Sequence, residues 1–394
     1  MLTGLILVLL NWEEGHDIMK LNPIRLREIR IARGYTAEAL AKELNITKQS
    51  ISKYEKGSAN PSPDIIEKLI LKLNIPRSYL TKESLKENSD IIPLFFRTAK
   101  TTRQNEKELA RIKIKWAYEI ISGLYELDNT VRGNINLPTF KQDMNIIDKA
   151  ESLREFWNLG LGPINNLLKT LENNGIHILT INTSKIHVDA YSQVIEGIPL
   201  IILNQSKGSA VRWRFSLAHE LGHLVLHQNV TAEELDNPER FNEIENEAHL
   251  FASNFLLPAG SFGKCIISDK LDYFLGLKKE WKVSIAAMVF RCGQLNLLSE
   301  QKILNLQKQI SKRKWHAFEP LDNEIQYENP SRIPSFIKSH ISDKNNAEGF
   351  LNNVRLAIED IENLCSLGGR FFSELGAGYT TYADNRQYTQ LSIF

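Results

Sequence analysis

The sequence predicts a mostly helical α+β protein of more than one domain. Three observations carry this. The 394 residues exceed what a single hydrophobic core usually organises, so two or three domains are expected. Over residues 22–80 apolar side chains recur at helical spacing with almost no strand character, as in a compact all-α domain. Farther on, IHILTI at 176–181 and PLIILN at 199–204 are short β-rich runs bounded by turn residues, so a small sheet lies among the later helices.

Composition excludes little. Hydrophobic residues at 42%, charged residues at 24% and a formal net charge of +1 are ordinary for a soluble globular chain, and whole-chain charge argues neither for nor against nucleic acid. Cys265, Cys292 and Cys365 are too few and too far apart for a disulfide framework or a thiolate zinc cluster, so a reducing, cytoplasmic compartment is expected. The apolar run at 5–10 is too short to span a bilayer and lacks the flanks of a signal peptide, so no membrane association is expected. Residues 1–18 are read as an upstream or non-native extension, with the functional chain beginning near Met19; the alternative is a genuine apolar arm.

The elements follow in order. Residues 19–80 form the first helical domain. Residues 81–103 are polar and broken by Pro93 and serve as a linker, with Phe95 and Phe96 as apolar anchorage on the next domain. Amphipathic helices are expected at 106–127 and 146–174, the latter interrupted where glycine and proline cluster at 160–163. After the two strands a helix begins near Ala210, and another covers about 242–257 and stops at Pro258. Residues 104–298 are taken as one domain with a helical follow-on, and 299–394 as a region of unknown role.

Within the first domain, residues 36–57 read TAEALAKELNITKQSISKYEKG. Thr36 is placed to cap one short helix and Thr47 a second. Asn45 sits where the chain must turn, since asparagine tolerates left-handed backbone better than most residues. Leu40, Ala41, Leu44, Ile46, Ile51 and Tyr54 are the apolar set, and Ala41 is small enough for the helices to cross closely. The second helix then presents Thr47, Lys48, Gln49, Ser50, Ser52 and Lys53. Glutamine and lysine can read base edges in a major groove, and serine and lysine can bind phosphates. Over residues 21–80 eleven basic residues stand against six acidic ones, a local positive footprint that the whole-chain balance hides. A bundle used only for dimerisation or protein contacts is the alternative. LxxELNITKQSISKYEKG resembles the turn and recognition helix of Xre/Cro-type helix-turn-helix repressor domains. The resemblance implies binding to a double-stranded DNA operator, commonly as a homodimer.

In the later domain, residues 214–227 read RFSLAHELGHLVLH. On a helix His219 and His223 are one turn apart, so both imidazoles project from one face and can bind one Zn²⁺, with Glu220 beside them to take a proton from bound water. Zinc brings the pKa of that water toward neutrality and can polarise a peptide carbonyl, the chemistry of peptide hydrolysis. An H-E-x-x-H string arises by chance in about one chain in a hundred of this length and histidine content. Apolar flanks Phe215, Leu217, Ala218, Leu221, Leu224 and Leu226 strengthen the motif, because a buried helix with two unmatched histidines needs a reason. Gly222 leaves space at the site. A catalytic zinc also needs a third protein ligand and an open position. Glu243, Glu245, Glu247 and His249 all fall on the second helix. Glu245 and His249 share one face with Ala252, whereas Glu247 is turned about 160° away at helical spacing.

RFSLAHELGHLVLH followed by ENEAHLFASNFLLP resembles the ImmA/IrrE-type zinc metallopeptidases. Their second motif places a ligand glutamate three residues before a small residue, then typically an asparagine shortly before an FA pair and a closing LxP. Counting back from Pro258, the resemblance implies Glu245 as the third ligand, with Glu247 as competitor. His249 stands where the family usually has asparagine and is expected to be a plain polar substitute. His227 is expected to cap the helix end; support of His223 is the sharper reading. The likeness runs from about residue 97 to 298 through FWNLGLGPINNLLKTLENNGIHI, VDAYS, IPLIILN and LKKEWKVSIAAMVFRCGQLNLL. Asp189, Tyr191 and Arg214 within it are read as maintaining the fold. VSIAAMVFRCGQL has helix-turn-helix flavour but is expected to pack against the catalytic domain.

The expected fold is therefore an N-terminal all-α helix-turn-helix domain, then a zincin-like metallopeptidase domain with a small sheet and an HExxH helix. The expected activity is that of a DNA-binding transcriptional regulator with zinc endopeptidase chemistry. By resemblance its protein substrate is a repressor or a toxin–antitoxin partner. A sensor or an antitoxin-like protein that binds its partner without proteolysis is the alternative, against which the intact base Glu220 argues.

Overall fold

The computed structural model describes residues 20–85, 104–141, 143–206 and 208–379. The apolar run at 5–10, the start at Met19, most of the linker at 81–103 with Phe95 and Phe96, and the last fifteen residues lie outside them. The described residues divide into two compact units, one formed by 20–85 with 351–357 and 379, the other by those from 104 to 350 with 358–378. Among the described residues no helix is long and apolar enough to cross a membrane.

The first unit is built from α1 (Pro23–Ala32), α2 (Ala37–Glu43), α3 (Lys48–Glu55), α4 (Pro63–Leu73) and a 3-10 turn at Arg77–Thr81. Its first three helices start on side-chain caps: Asn22 accepts from the Ile24 N–H, Thr36 from that of Ala39 and Thr47 from that of Ser50. Each satisfies one of the unpaired donors at a helix start. Asn45 turns the chain between α2 and α3 at φ 55°, the left-handed geometry its residue type tolerates. Leu26, Ile29, Leu40, Ala41, Leu44, Ile51, Leu69 and Leu73 fill the core, while Ile46 and Tyr54 are only partly buried. Arg30 forks onto Glu55, with Nε to Oε1 at 2.5 Å and Nη2 to Oε2 at 2.9 Å, so a two-pronged ion pair joins α1 to α3.

The second unit opens with α5 (Gln104–Leu127), α6 (Ile146–Phe156) and α7 (Leu167–Asn173). The break between α6 and α7 falls over the expected glycines and proline. Buried Arg154 organises it by donating to Gly160 O at 2.8 Å and Gly162 O at 2.5 Å. Three strands follow, β1 (His177–Ile181), β2 (Ala190–Ile195) and β3 (Ile198–Asn204), in the order β1-β3-β2. β1 is parallel to β3, and β2 forms a hairpin with it through Glu196 and Gly197. Both turn residues have positive φ, 49° and 76°, the two-residue geometry that matches strand twist. β2 is absent from the sequence expectation. Helix α8 (Ala210–Leu226) packs on β2 and β3, and α5 also contacts both strands. Every residue of β3 is buried, which accounts for its unbroken apolar run rather than an alternating one.

Next come α9 (Ala232–Asp236), α10 (Pro238–Leu256), α11 (Ala259–Cys265), α12 (Leu271–Trp281) and α13 (Ile285–Gln294), then α14 (Glu300–Lys312), α15 (Arg332–His340), α16 (Lys344–Val354), α17 (Ile358–Leu364) and α18 (Phe371–Glu374). α10 begins four residues before the expected 242, because Asn237 caps it and Pro238 occupies its first turn, where a missing N–H costs nothing. Its last carbonyls are held by buried arginines: Arg154 donates to Phe255 O at 2.6 Å and Arg291 to Leu257 O at 3.1 Å. The VSIAAMVFRCGQL segment contains the whole of α13, with Ile285, Met288, Val289 and Cys292 in the core. That core also takes in Phe251 and Phe255 of α10 and Leu217, Leu221 and Leu224 of α8.

Residues beyond 312 complete the polar bonding of this unit. Lys278, fully buried, reaches Glu319 at 2.8 Å and Asp322 at 2.7 Å. Glu319 also accepts from the N–H groups of Ile285 and Ala286 at the start of α13. Arg214 is paired with Glu328, whose other oxygen accepts from the Leu168 N–H at 2.9 Å.

The crossing of α8 and α10 positions everything that follows. A Cβ at Gly222 would lie 3.2 Å from both Cα and O of Ala248 and from Cδ1 of Phe251, so the space left by the glycine is occupied by the facing helix. The Ala248 backbone cannot yield as a flexible side chain would. Gly222→Val is therefore expected to destabilise the protein by about 1–3 kcal/mol, read as a lower urea midpoint at unchanged slope; an unshifted midpoint would mean that the two helices do not bear on each other there.

Candidate metal centre

His219 and His223 lie on the buried side of α8, and α10 brings Glu245 to them. His219 Nε2 is 3.0 Å from His223 Nε2. Glu245 Oε2 is 3.5 Å from the first and Oε1 is 3.4 Å from the second. Ligands about 2.0–2.1 Å from a tetrahedral zinc are about 3.3–3.4 Å from one another, so these three edges outline one face of such a site. Both carboxylate oxygens of Glu245 are buried without a hydrogen-bond partner, a costly arrangement for polar atoms unless a cation completes it. Two imidazoles and one carboxylate are a donor set suited to zinc, and these are the residues that would hold it.

The electrostatics agree with ligand chemistry. Burial pulls the His223 imidazole down to about 3, against the opposing pull of Glu245. Burial alone would raise the Glu245 carboxyl, but the imidazoles of His219 and His223 outweigh it and hold the group well below the usual carboxylate range. A neutral imidazole beside an ionised carboxylate is the protonation state a metal requires.

The other candidates stand at different distances from the centre. Glu247 points away from the pair, with Oε2 2.9 Å from His227 Nε2 and Oε1 3.7 Å from Arg240 Nη1. The His227 imidazole is the main cause of its lowered carboxyl pKa, against burial. His227 ends α8 and is buried, with Nδ1 3.0 Å from Nδ1 of His223, so it meets that candidate ligand as well as the helix end. His249 is closer to the centre than a plain polar substitute need be. Its ring lies edge-on to His219 with centroids 4.4 Å apart, its Nδ1 donates to Glu245 O at 2.9 Å, and its ligand atom lies within 4.8 Å of those of His219 and Glu245. Edges of 3.0–3.5 Å fit a single ion better than that longer reach, which favours His223 over His249 in the ligand set. Glu243 is exposed and pairs with Arg240 at 3.2 Å.

Glu220 is 4% exposed and accepts a hydrogen bond at Oε2 from the Ser192 hydroxyl, 2.6 Å away. Ser192 is fully buried on β2 and is the residue sequence reasoning missed. It lies in the quoted VDAYS stretch, and strand alternation would have set it on the α8 face once β2 was assigned. Asp189 accepts from Arg212 at 2.5 Å. Tyr191 is wholly buried, which pushes its phenol well above the ordinary value. Arg214 donates to Ile164 O at 2.7 Å beside its pair with Glu328. Arg214 and Asp189 thus spend their bonds on the fold.

In the first unit, Lys48, Gln49 and Lys53 are exposed on α3, Ser50 and Ser52 are half-buried, and the exposed Thr47 uses its hydroxyl in the cap with Ser50. Five acidic residues, Glu28, Glu43, Glu55, Asp64 and Glu67, are paired with Arg25, Lys72, Arg30, Lys68 and Arg77 respectively. Lys48 and Lys53 enter no ion pair among the described residues, so positive charge remains on the exposed side of α3.

Fold and site together define a helix-turn-helix domain joined to a metallopeptidase-type domain. Residues 26–80 match the helix-turn-helix family model, and residues 171–292 match that of the IrrE N-terminal-like domain, peptidase family M78. No curated protein matches the chain. Among solved structures, the chain is similar to Bacillus thuringiensis PlcR in complex with the peptide PapR7 and DNA. Identity is 13%, over 76% of this chain and 97% of that one, at a TM-score of 0.15, a level at which no shared overall fold is shown.

The geometry distinguishes the two competing glutamates. Glu245→Ala is expected to abolish stoichiometric zinc retention after dialysis, whereas Glu247→Ala keeps all three ligands and retains the ion; metal analysis of the purified variants decides, and the reverse order would exchange their roles.

Proposed function

We propose that this chain is a DNA-binding regulator whose second unit is a zinc-dependent endopeptidase acting on a regulatory protein. The carrying observation is the convergence of His219, His223 and Glu245 within 3.5 Å, with Glu220 next in sequence to His219. A zinc ion held there would acidify a water molecule and polarise a peptide carbonyl.

The chain's own residues supply the proton handling. Glu220, as a carboxylate, takes a proton from the attacking water and returns it to the departing amine nitrogen. The Ser192 hydroxyl donates to Oε2 of Glu220, which orients the carboxylate. Burial of the site strengthens these charge interactions relative to water. The cleaved partner, by the ImmA/IrrE resemblance, is a repressor or a toxin–antitoxin component. A reducing, cytoplasmic setting is part of the same reading, since three widely spaced cysteines offer no disulfide framework.

Thr47, Lys48, Gln49, Ser50, Ser52 and Lys53 form the proposed operator-reading surface, in a homodimer as is common for such domains. Lys48→Ala together with Lys53→Ala is expected to weaken DNA binding and to flatten the dependence of log affinity on log salt by about 1 for each phosphate no longer neutralised; binding titrations at several salt concentrations that give parallel lines would remove these lysines from the interface.

Co-expression with proteins encoded beside this chain tests the peptidase reading. Zinc-dependent fragments of one such protein are expected with the wild type. They should vanish with Glu220→Gln while zinc content and DNA affinity hold. Equal cleavage by both proteins would sink the assignment of Glu220 as base, and an intact partner in a stable complex would favour binding without proteolysis.

A further inference from the structure

Behind the three ligands runs a row of side chains that the proposed hydrolysis does not use. His223 turns Nε2 toward His219 and Glu245, while its Nδ1 is 3.0 Å from Nδ1 of His227. His227 Nε2 is 2.9 Å from Glu247 Oε2, and Arg240 stands 3.7 Å from the other oxygen of that carboxylate. His223 and His227 are 1% and 2% exposed, whereas Glu247 is half-buried. The row therefore leads from the centre of the α8–α10 crossing toward the surface.

Its hydrogen-bond polarity is fixed by elementary chemistry. A neutral imidazole has one N–H and one lone pair. A histidine that offers Nε2 to a metal carries its proton on Nδ1, so His223 donates to His227 Nδ1. His227 must then hold its own proton on Nε2, from which it donates to Glu247. The opposite order fails at both ends. A proton on His227 Nδ1 would force the His223 proton onto Nε2, into the ligand position, and would set the His227 Nε2 lone pair against a carboxylate.

We propose that His227 and Glu247 are positioning residues that hold His223 in its metal-binding tautomer and orientation. The inference rests on the reading of His219, His223 and Glu245 as a zinc centre. It gives Glu247 a definite task as the terminal acceptor of a His223–His227–Glu247 relay. Hydrogen bonding of this kind fixes the ring and raises the basicity of the coordinating nitrogen. Arg240 balances the charge of the terminal carboxylate.

The test measures zinc affinity of the full-length protein by competition with a chromophoric chelator, with the visible spectrum of the cobalt-loaded protein as a second readout. His227→Phe fills the same space without an acceptor and is expected to weaken zinc binding by about 10–100-fold. His227→Gln can accept from His223 and donate to Glu247 through one amide, and should recover affinity to within about threefold of wild type. Glu247→Ala, at a partly exposed position where folding is not at stake, should weaken binding by about tenfold, and Glu247→Gln by less. The cobalt spectrum should shift in His227→Phe and return in His227→Gln. Wild-type affinity in Glu247→Ala, or equal losses in His227→Phe and His227→Gln, would overturn the relay while leaving the zinc centre intact. A wild-type protein that takes up no zinc would overturn the centre itself, and the relay with it.

Discussion

The contact on which the structure turns is the backbone-distance approach of α8 to α10 at Gly222 and Ala248. Gly222 stands between His219 and His223 in sequence, and Ala248 lies one turn beyond Glu245. A glutamate side chain is short, so the carboxylate meets two imidazoles of another helix only if the helix axes come close. Small residues on both sides permit that approach, and the rest of the unit holds it. Asn237 secures the start of α10, while Arg154 and Arg291 take up its last carbonyls. Burial lowers the Arg154 guanidinium to about 10, against the pull of Glu151. The fold thus buries cationic groups to keep the glutamate helix from sliding along its partner.

Much of this was legible in the chain because its signals are local. The caps Thr36 and Thr47, the turn at Asn45, the break at 160–163 and the start of α8 near Ala210 each depend on residues within one or two turns. Where the signal was ambiguous, the reading slipped in a way physics explains. Asn237-Pro238 resembles a turn in sequence, yet an asparagine cap followed by proline is also a strong helix start. β2 carries serine and glutamine on a strand buried on both faces, and its turn is Glu196-Gly197 rather than the commoner Asn-Gly, so neither alternation nor turn announced it.

Side-chain pairing between elements distant in sequence was legible least. Ser192 meets Glu220 across 28 residues and His227 meets Glu247 across 20, and no periodicity within one element reports such meetings. Helical spacing set Glu247 and Glu245 on different faces but could not say what each face would find. Local charge had a similar limit. The count of basic residues over 21–80 gave a positive domain, but only the ion pairs reveal which cations are taken up internally and which remain on α3.

The buried lysine of α12 has a consequence for where this domain can end. Its counter-charges, Glu319 and Asp322, lie some twenty-five residues or more past the last position matched to the IrrE N-terminal-like domain, and Arg214 on the histidine helix finds its partner later still, at Glu328. A chain cut at residue 298 would strand two interior cations and the N–H groups at the start of α13, a loss of about 3–5 kcal/mol for each broken pair. The smallest stable body of the second unit is accordingly larger than the stretch its motifs mark, because the interior charges of the earlier segment are neutralised by the later one.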